Sequence, residues 1–83
     1  MKYKIVFEKP AVKFILSQPK NQQERLLKAI NLLPESGDIK QLKGYNSLFR
    51  LRVGDYRVIY SVENNILTVK ILNIGNRGDI YKK

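Results

Sequence analysis

The stretch Leu48-Phe49-Arg50-Leu51-Arg52-Val53-Gly54-Asp55-Tyr56-Arg57-Val58-Ile59-Tyr60 decides the fold of this 83-residue chain. It reads as two strands folded back on each other across Gly54-Asp55. Side chains alternate between the faces of a strand, so Phe49, Leu51 and Val53 share one face and Arg50 and Arg52 the other. A two-residue turn with glycine in its first central position sets Val53 opposite Tyr56, Leu51 opposite Val58 and Phe49 opposite Tyr60. These residues make one continuous apolar face. The same register puts Arg52 opposite Arg57 on the second face, with Arg50 diagonally adjacent. Like charges directly opposite each other destabilise a sheet. Three arginines gathered at that cost point to an anion site, and the competing reading is a solvated basic face.

Working outward, Tyr3 to Phe7 alternates and predicts a first strand. Pro10 suits the first turn of a helix carrying Ala11, Phe14, Ile15 and Leu16, which ends near Ser17 to Pro19. Asn21-Gln22-Gln23-Glu24 has capping-box spacing, and Leu26, Leu27, Ile30 and Leu33 follow at helical intervals up to Pro34 and Gly37. These apolar stripes read as core. Residues 34–46 read as a polar loop containing Lys40 and Lys43. Glu63-Asn64-Asn65-Ile66 predicts a second tight turn, because asparagine tolerates a left-handed backbone. Counting from that turn pairs Val62 with Leu67, Tyr60 with Val69 and Val58 with Ile71, and sets Lys70 across from Ile59. The closing Asn73 to Tyr81 segment predicts a glycine-flanked turn at Arg77 and a short terminal strand bearing Tyr81. The expected fold is a single α+β domain over residues 1–83. It comprises an N-terminal strand, a two-helix hairpin and a three-stranded antiparallel meander with a short C-terminal strand. The helices should cover the apolar face and leave the arginine face open.

Charge is the strongest compositional signal. Sixteen Lys and Arg stand against seven acids, giving +9, with +4 in residues 1–42 and +5 in residues 43–83. Since no basic tail accounts for the charge, a concentrated patch has to be built by folding, and a polyanion or an acidic protein is the natural partner. The chain has no cysteine and no histidine, which excludes disulfides, thiolate metal sites, cysteine nucleophiles and the familiar triads. Scattered carboxylates form no metal cluster, so metal-dependent phosphodiester hydrolysis is not expected, and neither is any cofactor. The apolar runs are too short to span a bilayer and no signal peptide is visible, which makes a cytoplasmic protein the expectation.

A metal-free arginine site leaves one catalytic route open. RNA carries its own nucleophile, the 2′-hydroxyl, so a protein need only position its attack, stabilise charge on the phosphate and move protons. Arg50, Arg52 and Arg57, with Lys70 and Arg77 nearby, supply phosphate contacts, because guanidinium groups bind phosphate through paired, directional hydrogen bonds. Tyr81 is the candidate for proton transfer or for stacking on a base. These residues permit RNA cleavage without demanding it.

The block Phe49 to Tyr60, the Leu42-Lys43-Gly44 lead-in and the closing Ile74-Gly75-Asn76-Arg77-Gly78-Asp79-Ile80-Tyr81 resemble the RelE/ParE superfamily of toxins from type II toxin–antitoxin pairs. The likeness runs over nearly the whole chain and is nearest to the RelE branch. It implies a cognate antitoxin, with DNA approached only through that antitoxin, and ribosome-dependent cleavage of mRNA in the A site that inhibits translation. It also implies catalytic roles for Arg57, Arg77, Tyr81 and Arg50; beside these, Arg52, Lys70 and Lys43 are expected to bind RNA. Two positions depart from the RelE branch: Leu48 and Asn76 stand where it commonly carries lysine and histidine. The phosphate-binding half of the site is therefore retained better than the proton-transfer half. Two other readings stay open. One is a ParE-like toxin that inhibits gyrase by binding, and the other is a catalytically weak toxin fold kept as an antitoxin partner.

Overall fold

A computed structural model describes residues 3–42, 44 and 47–76. The first strand, β1 (Lys4–Phe7), leads into α1 (Lys9–Leu16) and α2 (Lys20–Ile30). Four strands follow: β2 (Asp38–Gln41), β3 (Leu48–Val53), β4 (Tyr56–Glu63) and β5 (Thr68–Asn76). They form one five-stranded sheet in the order β1-β5-β4-β3-β2. β1 lies parallel to β5, and the remaining neighbours are antiparallel. The expected α+β architecture and the β3-β4-β5 meander are present. The predicted terminal strand with Tyr81 lies outside the described residues, as do Lys43 and Arg77. Among the described residues, no helix is long and apolar enough to cross a membrane.

Local chemistry accounts for the helix ends. Pro10 sits in the first turn of α1, where its missing N–H leaves no hydrogen bond unmade. At the other end Ser17 Oγ donates to the Phe14 carbonyl at 2.6 Å. The capping box expected at Asn21 does not form, because α2 starts earlier, with Pro19 at its cap. The Pro19 carbonyl accepts from the Gln22 and Gln23 amides, and the Gln23 side chain reaches back to the Gln18 carbonyl. Only Ser17, Gln18 and Pro19 separate the helices.

One face of the sheet packs against both helices. Ala11, Ile15, Leu26, Ile30 and Leu33 meet Leu51, Val53, Tyr56, Val58, Tyr60, Val69, Ile71 and Ile74 in the buried core. Each fully buried aliphatic side chain contributes about 1.5–3 kcal/mol through removal from water. Tyr56 ties the hairpin to the helix link: its hydroxyl donates to Gln18 Oε1 at 2.9 Å, and its ring meets Phe14 edge-on at 5.7 Å. The β3–β4 register is the expected one, with Val53 opposite Tyr56, Leu51 opposite Val58, Phe49 opposite Tyr60 and Arg52 opposite Arg57. Gly54 has φ +59° and Asp55 keeps a negative φ, the combination of a type II′ turn.

The structure corrects the expectations for the sheet in two places. Residues 38–41, predicted as loop, form the edge strand β2 against β3. The β4–β5 register also differs from the predicted one. Val62 pairs with Val69, Tyr60 with Ile71 and Val58 with Ile74. The connection is no two-residue turn: it is a 3₁₀ turn at Asn64–Ile66 followed by Leu67. Leu67, and no asparagine, takes the left-handed conformation, at φ 47°. Its carbonyl accepts from the Lys4 amide, and the Tyr3 hydroxyl donates to Asn64 Oδ1, so the N-terminal segment clamps this turn. The first pairs move by two residues, which keeps the side chains from Leu67 to Ile71 on their expected faces. A bulge at Ile59/Tyr60 then lets Ile71 and Ile74 both reach the core.

Candidate phosphate-binding face

Because β3 and β4 bury alternate residues beneath the helices, Arg50, Arg52 and Arg57 project from the opposite face of the sheet. Cross-strand register arranges that face in rows. One row runs Asp38, Arg52, Arg57, Gly75; the next runs Lys40, Arg50, Ile59, Asn73. The three predicted arginines therefore lie side by side, joined by Lys40 from β2. Gly75 places no side chain beside Arg57.

The arginines differ in environment. The Arg50 side chain is only 12% exposed, whereas that of Arg52 is 50% exposed. Arg57 is half-buried, and Arg50 Nε is buried with no hydrogen-bond partner. An inward-held guanidinium with unused donor capacity is suited to an anion that brings several acceptor oxygens. Asp38 supplies a carboxylate beside these arginines, 3.8 Å from Arg50 Nη2 and 3.9 Å from Arg52 Nε.

Lys70 is on the same face, but opposite Ser61 rather than the expected Ile59, and its Nζ stands 3.8 Å from Glu63. The register of β5 moves it along the strand from the row that holds Arg57. It belongs to the margin of the patch. β5 ends at Asn76, opposite Tyr56; Arg77, Tyr81 and Lys43 are not among the described residues. Asp38 and Lys40 were missed in the sequence because their segment reads as loop. Their only signal is the alternation Asp38-Ile39-Lys40, with a single apolar residue.

Nothing on this face is arranged for a metal: among the described residues, no group of three or more His, Cys, Asp or Glu side chains comes together. The opposite side of the molecule carries two apolar grooves. An open groove of about 340 Å³ runs over Ile39, Phe49, Tyr60 and Val62. Phe49 and Tyr60 stack there at 5.6 Å. A second groove, of about 180 Å³, lies between Phe7, Val12, Leu16 and Leu27.

Known proteins share this fold. The family model described as the ParE toxin of the type II toxin–antitoxin system parDE matches residues 5–81. The chain is 32% identical to toxin RelE3 of Methanocaldococcus jannaschii, with 94% of each chain covered. Among solved structures, the archaeal RelE–RelB complex from Pyrococcus horikoshii OT3 contains a chain that superposes with a TM-score of 0.79. It is 36% identical, with 95% of this chain and 99% of that chain covered. The RelB–RelE antitoxin–toxin complex from Methanococcus jannaschii gives a TM-score of 0.75 at 29% identity, with 92% and 94% covered. A fold with this element order, an arginine-lined sheet face and matches over nearly its full length place the chain in the RelE/ParE superfamily of type II toxin–antitoxin toxins.

Proposed function

We propose that this toxin is a ribosome-dependent mRNA endoribonuclease that works without a metal, by attack of an RNA 2′-hydroxyl on the adjacent phosphorus. The observation that carries the reading is the adjacency of Arg50, Arg52 and Arg57 on the face the helices leave open. The attacking oxygen belongs to the substrate, so the P–O bond to it forms as the bond to the 5′-oxygen breaks. The products are a 2′,3′-cyclic phosphate and a 5′-hydroxyl. Charge builds on the non-bridging oxygens as this happens, and Arg57, backed by Arg50, is assigned to meet it. Arg77 and Tyr81 complete the assignment, Tyr81 for proton transfer or stacking. Arg52, Lys70 and Lys43 are assigned to the RNA backbone.

An antitoxin is the expected protein partner, since several structural relatives are toxin–antitoxin complexes. A net charge of +9 favours an acidic one. The apolar grooves on the helix side would take its hydrophobic residues.

The test is translation of a defined mRNA in a purified system, with and without the protein, with the 5′ ends mapped. New ends within codons that require ribosomes, and that vanish when the cleaved nucleotide is 2′-deoxy, are expected. A second reading, gyrase inhibition by binding, is favoured by the match to the ParE model. Intact mRNA together with blocked supercoiling by gyrase is the outcome that would establish it.

A further inference from the structure

We propose that the Asp38 carboxylate is an internal place-holder for an RNA phosphate. It is a positioning residue that holds Arg50 and Arg52 side by side while the face is empty, and it yields when a backbone phosphate arrives. The inference rests on the reading of this face as a phosphate site and adds to it a built-in competitor.

Asp38 lies directly across β2–β3 from Arg52 and diagonally from Arg50, and one carboxylate faces both guanidiniums. Its two contacts, 3.8 and 3.9 Å, exceed hydrogen-bond range, so they attract by charge without using the guanidinium donors. The carboxylate is 59% exposed, in a setting where an ion pair is weak. Arg50 meanwhile keeps a buried Nε with no hydrogen-bond partner. A phosphate at the same place would bring more acceptor oxygens and could approach to hydrogen-bonding distance, so it should win the exchange. The β2 backbone is held by its ladder to β3, and release requires only rotation of one short exposed side chain. The carboxylate also offsets repulsion on the crowded side of Arg52, which has Arg57 as its other neighbour.

The experiment is a titration of a non-cleavable 2′-O-methyl RNA oligonucleotide, and separately of inorganic phosphate, against the wild type, Asp38→Asn and Asp38→Ser at several salt concentrations. Removing the competitor should tighten RNA binding about two- to fivefold, the range of an exposed ion pair. The slope of log K against log salt should steepen by about 0.7, the increment for one more single-strand phosphate contact. The gain should disappear when Arg52 is alanine. Unchanged or weaker binding by folded Asp38 variants overturns the proposal, as does a gain that persists without Arg52 or an absence of binding by every protein tested. Cleavage is not read in these titrations. A protein that shows the predicted coupling yet cuts no mRNA contradicts the nuclease assignment and leaves the role of Asp38 standing.

Discussion

Arg52 and Arg57 face each other across β3 and β4, an arrangement that costs stability unless something negative stands nearby. Asp38 answers part of that charge in the empty protein, and a bound phosphate would answer it more fully. Both partners of the Arg52–Arg57 pair were legible in the sequence because the Gly54-Asp55 turn sets the pairing. Asp38 was not, because it is coupled to the site only through a strand that the sequence hides. On the other face, Tyr60 shows what burial does to a titrating group. Removal from water pushes its hydroxyl from 10.0 up to about 12. The neutral phenol is thus favoured in the folded state, and this contribution is fully present below pH 10 and lost as pH rises through about 12. Thermal melts over that window should show a decline that Tyr60→Phe reduces by roughly 1–3 kcal/mol, since each tenfold change in proton affinity is worth about 1.36 kcal/mol. An identical alkaline decline in wild type and Tyr60→Phe would contradict this account of the buried ring.

At the scale of elements, the β3–β4 hairpin depends on a backbone conformation that only glycine adopts freely. Gly54 stands at φ +59°, and a Cβ there would lie 2.8 Å from Arg25 Nη2. The guanidinium end of Arg25 can swing aside, so backbone strain is the larger part of the penalty. Gly54→Ala should lower stability by about 1–2 kcal/mol, read as a lower urea midpoint at unchanged slope, and adding Arg25→Ala should restore little of it. Full restoration by Arg25→Ala would show that the collision, not the strain, matters. The other elements divide by how strongly local chemistry specifies them. The helices carry long apolar periods and are readable. β2 has four residues with one apolar side chain, and as an exposed edge strand it needs no more. The β4–β5 connection escapes a local reading because Leu67, a residue poorly suited to a left-handed backbone, takes that conformation. It is held there by hydrogen bonds from the N-terminal segment, a long-range cause that no local count contains.

For the whole molecule, the fold separates two kinds of surface. Helices and apolar grooves occupy one side of the sheet, and the other presents Lys40, Arg50, Arg52 and Arg57 around the Asp38 carboxylate. Because the +9 charge is spread along the chain, this concentration is a product of topology: the meander brings β2, β3 and β4 together with their cations on the same side. Binding to single-stranded RNA should therefore weaken steeply with salt, with a log–log slope of about −2 for three phosphate contacts. A slope near zero would mean that the face is a solvated surface and not a phosphate site. The element order and the sidedness of the arginines were legible in the sequence. Lys70's displacement to the margin was not, because it follows from the two-residue shift of β5.

The most direct test of the central claim is single-turnover cleavage of an mRNA held on a ribosome, comparing the wild type with Arg57→Ala. If the arginine face stabilises the phosphate during 2′-hydroxyl attack, the folded variant should cut more than about tenfold more slowly, the scale expected when one transition-state contact is lost. The wild type should leave 5′-hydroxyl ends. Equal rates in the two folded proteins would contradict the assignment.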